Sequence, residues 1–321
     1  MFKPLVTPNI SGLVTYLNEE QHIPVNRVVD VMEQFHGFRM SGGTVVNMVA
    51  GKARQFGGLA DWIRHLVAFS RVKYMDETGS RIAGRTGWLH VACNEYMTCL
   101  WIGKSRGDVM RDARGTIVHD FFPSYQTIPD VRHGYCNVHV LRELEDLVEF
   151  AGEGWAGDAA KLLQEGIHLH NEAGGNELPP GIIASLGKRY RCLIGKGLRF
   201  HESREPLPSA GKRGRKRKRR GHNLALRLDK HADGVLLYLS DPLVEPTNNY
   251  AEQALRPEKL KQKISGCHRS LQGARDTAII RTVLATARKQ GWNALDTLRS
   301  TPGELMAKLV TGPMVDTEPI A

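Results

Sequence analysis

Three features of the chain predict an α/β fold. Between residues 72 and 120, four short apolar runs have strand character. Two of them, 88–93 and 97–102, carry apolar residues on both alternating faces, the pattern of strands covered on two sides. Outside this block apolar residues recur three and four apart, the helical period. Strands interleaved with helices make the class α/β.

Residues 10–70 are predicted helical. Pro24 suits a first helical turn, and Val25, Val28, Val29, Met32 and Phe35 follow at helical spacing. His36-Gly37-Phe38 interrupts them, and Ser41-Gly42-Gly43-Thr44 leads into Val45, Val46, Met48 and Val49. Two short helices across such a turn make a helix-turn-helix candidate; the alternative is a helical pair packed on the core. Strands are expected at 72–75, at 88–93 and 97–102 around a tight Asn94-Glu95 turn, and at 116–119. A helix over 138–150 places Leu141, Leu144, Leu147 and Val148 on one side.

The stretch from Asp120 to Glu252 is too long for one crossover. Helical patterns at 155–171 and 181–199 fill it as an insertion, and 201–221, with Pro206, Pro208 and a basic run, is expected to be a flexible loop. Helices resume near Asn223 and Asp233; another over 273–290 carries Ala274, Ala278, Ile279, Thr282 and Ala285, and a disordered tail is expected from Thr311. The organisation expected is a helical segment at 1–70, the first part of a core at 71–150, a helical insertion at 151–235, completion of the core at 236–295, and a tail at 296–321.

At 321 residues and 41% hydrophobic content the chain can bury a sizeable core. Its net charge of +10 is unevenly spread. Lys212, Arg213, Arg215, Lys216, Arg217, Lys218, Arg219 and Arg220 supply most of it, so the polyanion-binding signal is local. The five cysteines are scattered and form no Cys-x-x-Cys pair, which argues for free thiols in a reducing compartment. No apolar run has the length of a signal peptide or of a membrane span. A soluble cytoplasmic protein is expected.

Three acidic residues carry the chemistry. Asp76 and Asp120 each close a short apolar run, and Glu252 opens a helical segment. Carboxylates on two strand ends and one helix can converge on a pair of divalent metals, and hard oxygen ligands suit Mg²⁺ or Mn²⁺. Each residue also has a structural reading: Asp76 and Glu77 could begin a turn with Gly79, Asp120 could cap a helix near Pro123, and Glu252 has capping-box spacing from Asn249. Pro257 is expected to kink the helix beyond Glu252. Cys136-Asn137-Val138-His139 has the spacing of half a zinc site. No second pair exists, and adjacent Cys267-His268 is poor geometry for one tetrahedral ion.

The surroundings of these residues sharpen the reading. Thr247-Asn248-Asn249-Tyr250-Ala251-Glu252-Gln253-Ala254-Leu255-Arg256-Pro257, followed by Lys261-Gln262-Lys263-Ile264-Ser265-Gly266, resembles the signature of IS66-type insertion-sequence transposases. So do Asp76-Glu77-Thr78-Gly79, Trp88-Leu89-His90-Val91, Cys136-Asn137-Val138-His139-Val140-Leu141-Arg142-Glu143-Leu144 and Ala287-Arg288-Lys289-Gln290-Gly291-Trp292-Asn293.

The resemblance implies a ribonuclease-H-like mixed sheet flanked by helices, with a catalytic triad of Asp76, Asp120 and Glu252 holding two Mg²⁺ (or Mn²⁺) ions. The implied activity is cleavage of element ends and strand transfer into target DNA. Asn248, Asn249, Arg256, Lys259, Lys263 and Arg269 are expected on the DNA backbone with the basic run, and Cys136 and His139 near the active site. DNA, further copies of the chain and accessory proteins of the same element are the implied partners, with nucleoid association when DNA is bound and no membrane. Members of this family typically carry a leucine zipper and a Cys-rich segment before the helices at which this chain starts. Beside the transposase stand two alternatives: a truncated, non-catalytic DNA-binding remnant, or a nuclease of the same fold that does not join strands.

Overall fold

The computed structural model describes residues 8–207 and 217–312. Its strands are β1 (Val72–Ile82), β2 (Arg85–Cys93), β3 (Thr98–Gly103), β4 (Gly115–His119) and β5 (Val131–Tyr135). They form one mixed sheet in the order β3-β2-β1-β4-β5, flanked by helices, as expected of a ribonuclease-H-like fold. The helices are α1 (Pro8–Thr15), α2 (Val25–His36), α3 (Gly42–Ala68), α4 (Asn137–Ala151), α5 (Gly154–Ala173), α6 (Pro180–Glu202) and α7 (Arg220–Lys230). They continue with α8 (Ala232–Val235), α9 (Leu237–Ser240), α10 (Asn249–Ser265), α11 (Leu271–Lys289), α12 (Ala294–Arg299) and α13 (Pro302–Thr311). Two compact units divide the described chain: 8–117 with 122–131 and 249–312, and 118–121 with 132–207 and 217–248.

In the first unit, β1 does not end at Asp76. It runs eleven residues and turns into β2 at Ala83-Gly84, whose φ values of 48° and 77° are both positive. Two positive φ angles between directly paired Ile82 and Arg85 define the two-residue hairpin turn whose twist suits antiparallel strands. The strand expected at 72–75 therefore runs on, and the alternative turn of Asp76 and Glu77 with Gly79 is not formed: Thr78, Gly79 and Ser80 are strand residues paired with Leu89, Trp88 and Gly87.

β3 is an edge strand, and α11 covers its free edge. Thr286 Oγ1 accepts the Thr98 N–H (3.2 Å) and donates to its carbonyl (3.1 Å). Thr282 Oγ1, one turn earlier, accepts the Leu100 N–H at 2.9 Å. Two hydroxyls at i and i+4 thus satisfy edge groups that would otherwise invite another strand.

The N-terminal pair consists of one short helix and one long one, not two short ones. α2 ends at Gly37 (φ 62°), whose N–H reaches the Glu33 carbonyl at 2.9 Å, a left-handed αL stop. α3 extends 27 residues behind an Ser41 N-cap that accepts the Thr44 N–H. Val45 and Met48 pack with α2, while Phe56, Leu59 and Ile63 enter the main core with Met75, Ala92, Ile117, Ile280 and Leu284.

A π-helical turn over Tyr16–Glu20 presents two glutamates inward. Lys261 contacts both Glu19 carboxylate oxygens (2.9 and 2.8 Å), and Arg281 donates to the Glu19 carbonyl at 2.9 Å. This polar network ties the N-terminal helices to α10 and α11. Within the stretch expected as a tail, α12 and the capping-boxed α13 place Leu298, Leu305 and Leu309 in the main core. The remainder of that tail lies outside the described residues.

The second unit packs α4 to α7 in sequence. At its base, buried Glu153 accepts from the Trp155 indole N–H (2.9 Å) and pairs with His201 Nε2 (3.1 Å). A Cβ on Gly221 would lie 2.3 Å from that carboxylate, so the start of α7 requires glycine there.

Candidate active site

Strand alternation sorts the two acids in Asp76-Glu77 onto opposite faces. Glu77 is buried, accepting from Arg106 Nε at 2.8 Å and from the Tyr125 hydroxyl at 2.6 Å. Asp76, half-buried, lies on the face of Tyr74, Thr78 and Ser80, and its Oδ1 accepts the Glu77 N–H at 2.8 Å.

α10 lies along that same face. At one end the Tyr250 ring packs on the Tyr74 ring with centroids 5.0 Å apart. Further along, the Ser80 hydroxyl donates to Glu258 Oε1 at 2.6 Å, and Lys259 Nζ donates to the Gly79 carbonyl at 3.1 Å. Asp76 falls between these ties on the strand, and Glu252 falls between them on the helix. Ala251, Leu255 and Glu258 form the buried stripe of α10. Glu252, Arg256, Lys259 and Lys263 occupy one flank beside it, within an arc of about 60° at ~100° per residue. The helix runs through Pro257 as one element, although proline leaves the Gln253 carbonyl without its usual helical donor.

Asp120 follows directly on β4 and is half-buried. Its backbone is gripped by its neighbour: the His119 ring Nδ1 meets the Asp120 carbonyl, and Nε2 lies 3.0 Å from His133 Nδ1. A carbonyl only accepts, so His119 carries its proton on Nδ1 and takes one from His133 at Nε2. Burial pushes the His119 ring down to about 3, which keeps it neutral at pH 7. On the other side, Phe121 stacks on Tyr135 at 4.0 Å, with the Arg227 guanidinium over it at 4.5 Å.

Cys136 caps α4 and is buried; its Sγ accepts the Asn248 N–H at 3.3 Å. Asn137 holds the same region together, its N–H donating to Pro246 and its amide to Tyr135 and Val235 carbonyls. Cys136 is thus a structural acceptor for the chain entering α10. His139 is half-buried one turn into α4.

The expected DNA contacts separate by exposure. Asn249, Arg256, Lys259, Lys263, Arg269, Arg217 and Arg220 are exposed. Asn248 is buried, at 1% exposure. Lys218 and Arg219 are half-buried, and Arg220 opens α7 with its guanidinium on Asp146 at 2.6 Å. Lys212, Arg213, Arg215 and Lys216 lie outside the described residues.

Two groups at this site escape sequence reading. Glu258, buried in α10, is hydrogen-bonded by Ser80, Gln262 (3.1 Å) and His268 Nε2 (3.2 Å). Burial alone would raise its pKa, but the His268 hydrogen bond and charge, with Ser80 and Gln262, bring it to about 2. Lys289, at the end of α11, sits 5.2 Å from the Tyr250 ring centroid and donates to the Asn94 and Met97 carbonyls; burial lowers its pKa. Charged residues on amphipathic helices are normally solvated, so nothing in the sequence marked these two as buried.

The family model described as "Transposase IS66 family" matches residues 3–276. No curated protein matches the chain.

Proposed function

This chain belongs to the IS66 transposase family, and on that premise we propose that it cuts and joins DNA strands by metal-dependent phosphoryl transfer at Asp76, Asp120 and Glu252. The observation that carries the proposal is the laying of α10 along the Asp76 face of β1. It brackets Asp76 and Glu252 between the same two ties, the Tyr74–Tyr250 ring contact and the Ser80–Glu258 hydrogen bond.

The donor set fits the metals such chemistry uses. All three side chains are carboxylates, half-buried, and carried on regular elements or directly after one. Hard oxygen donors of this kind suit Mg²⁺ or Mn²⁺. When bound, such ions supply activation of a water or a 3′-hydroxyl and neutralisation of the leaving oxygen. The chain's own part is positional. Glu77, facing away, anchors β1 through Arg106 and Tyr125. His119 and Phe121 fix the backbone on either side of Asp120, and Glu258 and Tyr250 hold the register of Glu252. Arg256, Lys259 and Lys263, on the Glu252 flank, would hold DNA phosphates without reading sequence.

The test is a strand-nicking and strand-joining assay on duplex DNA bearing a pre-cut 3′-hydroxyl end, with Mg²⁺ or Mn²⁺. The parent should nick and join. Asp76→Asn, Asp120→Asn and Glu252→Gln should each lose at least about a hundredfold, the scale expected when a group stabilising transition-state charge is removed. Undiminished cleavage by Glu252→Gln would sink the assignment. Nicking without joining by the parent would instead favour the nuclease.

A further inference from the structure

α6 is pinned to the second unit by Leu186, Tyr190, Ile194, Gly197 and His201. Its opposite face is cationic. Lys188, Arg191, Lys196 and Arg199 are all exposed, and at ~100° per residue they fall within an arc of about 140°. No acidic residue occurs in α6 before Glu202 at its end. Asp233 approaches Arg191 at 3.8 Å, and Glu165 takes Arg189 at the margin of the face. Among the described residues, Lys188, Lys196 and Arg199 meet no carboxylate.

Such a face is unfavourable in isolation. Lys188 and Arg191 are three apart, as are Lys196 and Arg199, and like charges at that spacing destabilise a helix. A polyanion removes the cost. Gly195 sits within the stripe, where an added Cβ would meet only the Arg199 guanidinium at 3.4 Å, so a broad ligand can approach the backbone closely. From Lys188 to Arg199 the stripe spans ~16 Å of helix, a length over which duplex DNA presents about ten phosphates. α6 also leads, along the chain, into the segment bearing the basic run, whose described end at Arg217 and Arg220 is exposed.

We propose that this face of α6 is a duplex-DNA backbone-binding surface of the transposase. The proposal rests on the reading of DNA as substrate and adds to it a surface remote in sequence from the three carboxylates. It holds phosphates through four cations and carries no base specificity.

Binding of a generic duplex oligonucleotide is measured across KCl concentrations for three proteins: the parent, a variant with Lys188→Gln, Arg191→Gln, Lys196→Gln and Arg199→Gln, and a variant with Arg217→Gln and Lys218→Gln. All four α6 positions are exposed, and circular dichroism checks folding. The α6 variant should lose about 3.6 from the slope of log affinity against log salt, 0.9 for each of its four cations, and bind at least tenfold more weakly at 0.1 M salt. An unchanged slope overturns the surface. If the parent binds no duplex even at low salt, the transposase reading itself fails, an outcome distinct from failure of the α6 variant alone.

Cys192 supplies an independent probe, being exposed among these cations, while Cys93, Cys99 and Cys136 are buried. In a Cys267→Ser protein, duplex should slow maleimide labelling of Cys192 severalfold. Equal rates with and without duplex count against the proposal.

Discussion

Glu258 and Lys73 are buried charges of opposite fate. Glu258 has its pKa held at about 2 by partners that outweigh desolvation. Its contribution to stability is therefore present above the unfolded carboxylate value near 4.5 and is lost as pH falls toward 2. Glu258→Ala removes one partner of a buried pair and should cost about 3 kcal/mol, read by urea unfolding at pH 7; a cost below 1 kcal/mol would mean the pair holds nothing. Lys73 is wholly buried, donating to the Ser70 (2.7 Å) and Arg114 carbonyls, with no carboxylate on it among the described residues. Burial lowers its pKa to about 7. Between pH 7 and 10.5 the unfolded chain holds the proton and the folded chain does not, so this residue's contribution to stability rises with pH. Lys73→Met should accordingly gain less stability than the parent between pH 7 and 9. Glu258 lies in a polar-looking stretch, and its burial was illegible because its partner Ser80 is 178 positions away; Lys73 lies in the apolar run of β1, and its amine donates to the Arg114 carbonyl, 41 positions away.

At the level of elements, amphipathic period located most helices to within a few residues. It failed where polarity had a tertiary cause. β1 carries Thr78, Gly79 and Ser80 past the expected stop because β2 pairs with it and α10 covers it. α11 was located by its period, Thr282 included, and the burial of Thr282 and Thr286 follows from the edge of β3, which needs hydrogen-bonding partners there. Replacing both threonines with valine keeps volume and removes the hydroxyls, leaving edge groups unsatisfied. The double variant should lose about 3–6 kcal/mol at 1–2 kcal/mol for each of the three stranded groups, and hydrogen exchange should quicken at the Thr98 and Leu100 amides. Unchanged exchange there would show that α11 does not seal the edge. α13 was announced by Thr301-Pro302-Gly303-Glu304, a capping box overlooked as tail.

At the scale of the molecule, a metal held only by the folded chain stabilises it by mass action. At ten times the dissociation constant the gain is ~1.4 kcal/mol. Mg²⁺ should raise the parent's unfolding midpoint and leave Asp76→Asn unmoved; an equal rise in both would place the ion elsewhere. Summed charge misled at this scale, since the net charge outside the basic run concealed the cationic face of α6. By itself the sequence determined the α/β class, the family and the three carboxylates proposed as catalytic, because period and local motif are written in consecutive residues. Only the tertiary structure decided that β1 runs on through Asp76, that Glu77 is an anchor, that Asn248 is buried, and that Glu258 and Tyr250 set the register of Glu252. Those properties arise from contacts between distant segments, and the energy of a buried polar group depends on the partner it finds.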